Sequence, residues 1–137
     1  MRGYTRLAIT LALFACHSAL EAAPAPAWQG SYSNVCVHPG SGDLLGVELS
    51  FIPHAGGTAV VWQRFEGEGL APQVLLLREQ DGRTVAAASA SAAAMFTLVR
   101  ERTRLRLHYL DGQQDDPAAL RPARLLWMGA RAPVCRG

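Results

Sequence analysis

The sequence predicts an all-β domain, an antiparallel up-and-down barrel or strongly curved sandwich of about eight strands closed by one disulfide. Short apolar runs separated by turn dipeptides fill residues 28 to 129, and no segment carries the apolar stripe of an amphipathic helix. Cys36 and Cys135 bracket these runs. About 112 residues beyond the N-terminal segment suffice for one core, so 28–137 is read as a single β domain.

Trp28 to Val37 reads as the first strand, and His38-Pro39-Gly40-Ser41-Gly42-Asp43 as a loop by composition. In the second strand Leu45, Val47, Leu49 and Phe51 alternate with Gly46, Glu48 and Ser50, which predicts Glu48 facing outward. Pro53 to Gly57 turns the chain into a third strand, Thr58 to Glu66. Gln73 to Glu79 and Arg83 to Ala88 flank Asp81-Gly82, a hairpin turn whose residues tolerate positive φ. Ala86 to Ala94 holds only Ala and Ser, offers no face to pack, and is read as a loop or strand end. Met95 to Glu101 and Arg104 to Leu110 form another pair, with Leu105, Leu107 and Tyr109 inward and Arg104, Arg106 and His108 outward. Asp111 to Pro122 is a polar loop, and Ala123 to Met128 is the closing strand with Leu125 and Trp127 on one face.

Residues 1–23 read as an export signal. Arg2 and Arg6 precede an apolar run from Leu7 to Ala15, and small residues follow from Ala19 to Ala27. The run is too short to span a bilayer. Leu13-Phe14-Ala15-Cys16 resembles a bacterial lipobox, which gives the alternative of a lipoprotein signal 1–15, an acylated Cys16 and an Ala- and Pro-rich tether 16–27. Cleavage after Ala22 or Ala23 instead yields a soluble periplasmic or secreted product. In an oxidising compartment Cys36 and Cys135 are expected to pair. Neither has a second cysteine two to four residues away, as a zinc site would need.

All 13 basic residues are Arg, and removing the signal leaves 11 against 10 acids. That balance gives no footing for nucleic acid as a partner. The expectation is a monomer that binds a protein or a small molecule and carries no cofactor or metal. His38, His54, Asp43 and Glu48 have the chemistry of metal ligands but form no compact ligand motif, and the loops holding His38, Asp43 and His54 are read as candidate binding loops. Glu66 and Glu68 are the pair a small hydrolase would use with a histidine. Ser31, Ser33, Ser41 and His108 lie in no nucleophile elbow. Arg100, Arg102, Arg104 and Arg106 recur every second residue, either as a basic edge for an anionic partner or as charges that discourage edge pairing.

Gly30-Ser31-Tyr32-Ser33-Asn34-x-Cys36 followed by Ser41-Gly42-Asp43-x-x-Gly46-x-Glu48 resembles the opening of a group of small exported bacterial proteins without assigned activity. In shape that group is similar to the calycin-like barrels, which include lipocalins, avidins and periplasmic lysozyme inhibitors. That group lends no activity; with no catalytic constellation in the sequence, the expectation is a non-enzymatic envelope, periplasmic or secreted binding module, with inhibition of a hydrolase as one form of that role. The alternative is a small secreted hydrolase built on Glu66 or Glu68.

Overall fold

Alternating strands joined by tight turns dictate a meander. The computed structural model describes residues 28–113, 115 and 118–136; the segment read as an export signal or as a lipoprotein signal and tether, with Cys16, lies outside the described residues. The strands are β1 Ser31–Ser33, β2 Cys36–Val37, β3 Leu44–His54, β4 Gly57–Gly67, β5 Gln73–Gln80, β6 Arg83–Ala87, β7 Ala94–Glu101, β8 Arg104–Tyr109 and β9 Arg121–Pro122. They pair antiparallel in the order β8-β7-β6-β5-β4-β3-β1-β9, with β2 also on β3. Leu105 and Leu120 exchange backbone hydrogen bonds of 3.0 and 2.8 Å, which brings β8 against the residue before β9. The result is a nearly closed eight-stranded antiparallel barrel.

Side-chain period two carries Val47, Leu49 and Phe51, Val60 and Trp62, Leu75, Phe96 and Leu98, and Leu105 and Leu107 into one core with Tyr32 and Leu120. Aromatic rings fill the interior: Trp62, Phe96 and Tyr109 lie 5.7 to 6.3 Å apart, and Phe51 meets Trp28 at 5.4 Å and Tyr32 at 5.9 Å. Cys36 and Cys135 are bonded, with Cα atoms 4.8 Å apart. A disulfide of this kind belongs to an oxidising compartment. The Asp81-Gly82 turn has φ of 50° and 71°, as a two-residue hairpin requires.

Three expectations are corrected. Trp28 to Val37 is two short strands, because the Asn34 side chain takes the Val47 N–H at 2.7 Å in place of a backbone carbonyl. Pro53 and His54 stay in β3, opposite Thr58 and Gly57, and only Ala55 and Gly56 turn. Pro53 lies past Ser50, the last β3 residue paired with β1, so its missing N–H breaks no ladder on that side. Leu120 to Pro122 closes the barrel from within the supposed polar loop, whereas Leu126–Met128 is a 3-10 turn. A helical turn sends Leu125 and Trp127 apart, the first buried and the second 70% exposed. Glu48 takes the outer face, as its alternation predicts, but is only 2% exposed because the C-terminal segment crosses that face.

The Ala and Ser run also has a partner. Arg78 donates from Nη1 to the Ala90 carbonyl at 2.6 Å and from Nη2 to that of Ala92 at 2.9 Å, gathering the loop onto one guanidinium.

Leu107 is 2% exposed, and Leu107→Ala should destabilise by about 2 to 5 kcal/mol in urea denaturation if the surrounding rings cannot collapse onto the void. A loss under about 0.5 kcal/mol would contradict the inward assignment. Cys36→Ser releases a cross-link spanning 99 positions. The variant should unfold at a lower midpoint, by up to about 4 to 5 kcal/mol in the chain-entropy limit, with an unchanged far-ultraviolet spectrum.

Candidate functional site

Past β9 the chain does not leave the barrel. It runs as a strap across the outer face of β1, β2 and β3, beginning where the Ala123 N–H donates to the Ser31 carbonyl at 3.0 Å. Within the strap Leu125 is buried. Further on, the Val37 N–H donates to the Pro133 carbonyl at 2.7 Å, the Cys135 N–H to the Val37 carbonyl at 2.9 Å, and the disulfide fixes the end.

Glu48 fastens the middle. Both carboxylate oxygens accept the Leu126 N–H, at 3.0 and 3.3 Å, and the Ser33 hydroxyl donates to the same carboxylate. Burial pushes the carboxyl above its ordinary range, against the two hydrogen bonds, which pull it down. Asn34 ties a third point, accepting from the Val47 N–H and donating from Nδ2 to the Ala118 carbonyl at 2.8 Å. Gly46, with φ of +120°, leaves room for it. A Cβ there would sit 2.7 Å from Asn34 Oδ1 and 3.0 Å from its carbonyl oxygen.

Between strap and sheet lies a cleft of about 630 Å³. Arg104, Arg106 and Arg121 line it from the β8 and β9 side, and Arg124, Arg131 and Arg136 from the strap. Among the described residues, these are six of the eleven arginines and Glu48 is the one acid in the lining. Small apolar side chains such as Ala119, Ala123, Ala132 and Pro133 make up much of the remainder. Arg106 pairs with Glu101, Nε to Oε1 at 2.8 Å.

The candidate residues read from the sequence lie elsewhere. His38 and Asp43 close one turn: Ser41 Oγ is 3.2 Å from His38 Nδ1 and donates to Asp43 Oδ2. His54 ends β3, whereas Asp43 immediately precedes it, so at about 3.3 Å per residue the two lie some 30 Å apart. The two proposed binding loops therefore occupy opposite ends of the barrel and make no joint site. Glu66 is at the His38 end, opposite Leu45, with its side chain 53% exposed and paired to Arg64. The Arg64 guanidinium in turn lies 5.9 Å from the centroids of both the Trp62 and Tyr109 rings. Among the described residues no three His, Cys, Asp or Glu side chains converge on a metal position. Asp115, held low by its hydrogen bond with His108 at 2.7 Å, accepts also from the Tyr109 N–H.

The arginine series divides at its turn. Arg100 lies back over the Trp28 ring at 4.7 Å, Arg102 takes φ of 57° in the turn, and Arg104 and Arg106 reach the cleft. A signal for this grouping exists in the sequence: residues 100–136 hold eight arginines and four acids, residues 28–99 three arginines and six acids.

Glu48 generates a pH prediction. A carboxyl whose proton is held more tightly in the fold than in the unfolded chain contributes stability that is fully present below its ordinary 4.5 and is lost as pH rises through the folded value. Glu48→Gln cannot titrate. Wild type should therefore gain stability relative to the variant as pH falls from neutrality towards 4.5, measured by urea denaturation at stepped pH. A difference independent of pH would contradict the raised value. Compared with known proteins, the chain matches no family model, no curated protein and no solved structure.

Proposed function

We propose that the chain is an exported binding module, periplasmic or secreted, that holds its partner in the cleft beneath the strap and does not turn it over. The observation that carries this reading is the collection of six arginines on one cleft outside a barrel whose interior is already filled by its own aromatic rings. Binding sites are concave, with a few convergent polar groups on an apolar wall, and this cleft has that composition. The disulfide supports export, as does the resemblance of the Gly30 to Glu48 stretch to small exported bacterial proteins with calycin-like shape. Release as a soluble product after residue 23 is the form proposed, with a lipid anchor at Cys16 as its alternative.

The hydrolase reading has weaker support. Glu66 is engaged by Arg64 in an exposed pair, and His38 Nδ1 lies within its own turn, against the Gly40 and Ser41 N–H groups. A general acid and a base must both reach the reacting atoms, and both of these groups are turned to local partners.

Immobilised wild type and an Arg121→Ala, Arg131→Ala double variant, exposed to envelope extract of the producing cell, test the proposal. The expected result is a partner retained by wild type and lost by the variant, with no hydrolysis of glycan, ester or peptide substrates by either. Hydrolysis that disappears in Glu66→Gln would overturn it.

A further inference from the structure

The side-chain polar groups in the cleft are unevenly committed. Ser33 accepts the Val35 N–H at 3.1 Å and serves Glu48, and Asn34 is held at both ends by Val47 and Ala118. Glu48 is buried and engaged by Leu126. Arg106 is occupied by Glu101. Among the described residues, Arg104, Arg121, Arg124, Arg131 and Arg136 have no carboxylate within 4.0 Å. The groups left to meet a ligand are thus donors only, and charged ones. A neutral sugar presents donors as well as acceptors and would find too few side-chain acceptors here. An oxyanion presents acceptors alone and matches the guanidinium fork in two parallel hydrogen bonds.

Two further features narrow the class. The guanidiniums come from two walls, β8 and β9 on one side and the strap on the other, so a ligand that bridges them needs more than one anionic group. The volume of about 630 Å³ is that of a small-molecule site and far below a macromolecular interface. We infer that the cleft is a receptor for a small organic polyanion carrying two or more phosphate or carboxylate groups, one gripped by each wall. This rests on the binding reading above and names its ligand chemistry.

Titration calorimetry at fixed ionic strength, using pyrophosphate and citrate as probes and orthophosphate as the single-anion comparison, tests it on the full mature chain. At least one of the two multivalent probes should bind saturably and more tightly than orthophosphate, and its affinity should fall as sodium chloride is raised. Preference for pyrophosphate identifies phosphate as the source of charge, and preference for citrate identifies carboxylate. Arg121→Ala and Arg131→Ala, both exposed and one from each wall, should each weaken binding by about tenfold or more, as loss of a charge-assisted hydrogen bond does. Arg83→Ala lies outside the cleft and should leave binding unchanged. Unchanged melting temperatures establish that the variants are folded. Absence of saturable binding by both probes, or binding that survives both cleft substitutions, overturns the inference. If the probes fail while the double variant still loses a captured partner, the binding reading stands and only the ligand class is wrong; hydrolysis lost in Glu66→Gln removes the reading itself.

Discussion

The attachment of the C-terminal strap to the outer face of β1 to β3 is the constraint on which the rest of the molecule depends. Barrel closure passes through it. β8 and the opposite edge meet at Leu105 and Leu120, and Leu120 is held near by the Asn34 bond to Ala118 on one side and the Ala123 bond to Ser31 on the other. One reciprocal pair of backbone hydrogen bonds is a thin seam, since each contributes only about 0.5 to 1.5 kcal/mol net. Glu48 and the disulfide supply the remainder from outside the barrel, by keeping the chain after β9 from peeling away.

The Gly, Ser, Asn, Cys and acidic residues of the Gly30 to Glu48 stretch acquire structural roles here. Ser33 pairs with Glu48 and Cys36 with Leu45 in the β1, β2 and β3 ladder, so the two halves of that stretch face each other. Gly46 admits Asn34, Ser33 serves Glu48, Ser41 bridges His38 and Asp43 in the turn between, and Cys36 takes the strap. A ligand-binding role for these residues is not needed to account for their chemistry.

What the sequence disclosed and what it hid follow from the range of each signal. The β class, the Asp81-Gly82 hairpin, the inward Leu105 and Leu107 and the disulfide rest on period two, turn chemistry and compartment, all local or compositional. Glu48 obeyed the same period and does lie on the outer face. Alternation reports which side of a sheet a residue takes, not whether another segment covers that side, and the partner here is 78 residues away. The closing strand was missed for a related reason: Leu120 to Pro122 is too short to show a period, and Pro122 and the acids before it read as loop. The cleft was hidden by averaging. A net charge of only +2 over the whole chain conceals an arginine-rich C-terminal third, six of whose arginines line one cleft.

This division separates stability from recognition. The groups that hold the strap are Glu48, the backbone of Ser31, Val37 and Leu126, and the two cysteines, while Asn34 holds the approach to β9 at Ala118. None is an arginine. The guanidiniums of Arg121, Arg124, Arg131 and Arg136 are exposed and stand on a backbone fixed by other groups, so their loss removes charge without opening a void or stranding a buried partner. The aromatic interior has the opposite character, since Trp62, Phe96 and Tyr109 pack against one another and the loss of one would open a void. In a barrel filled in this way, recognition chemistry has its natural place on the outer face, where a covalently anchored strap makes a second wall that the sheet alone could not provide.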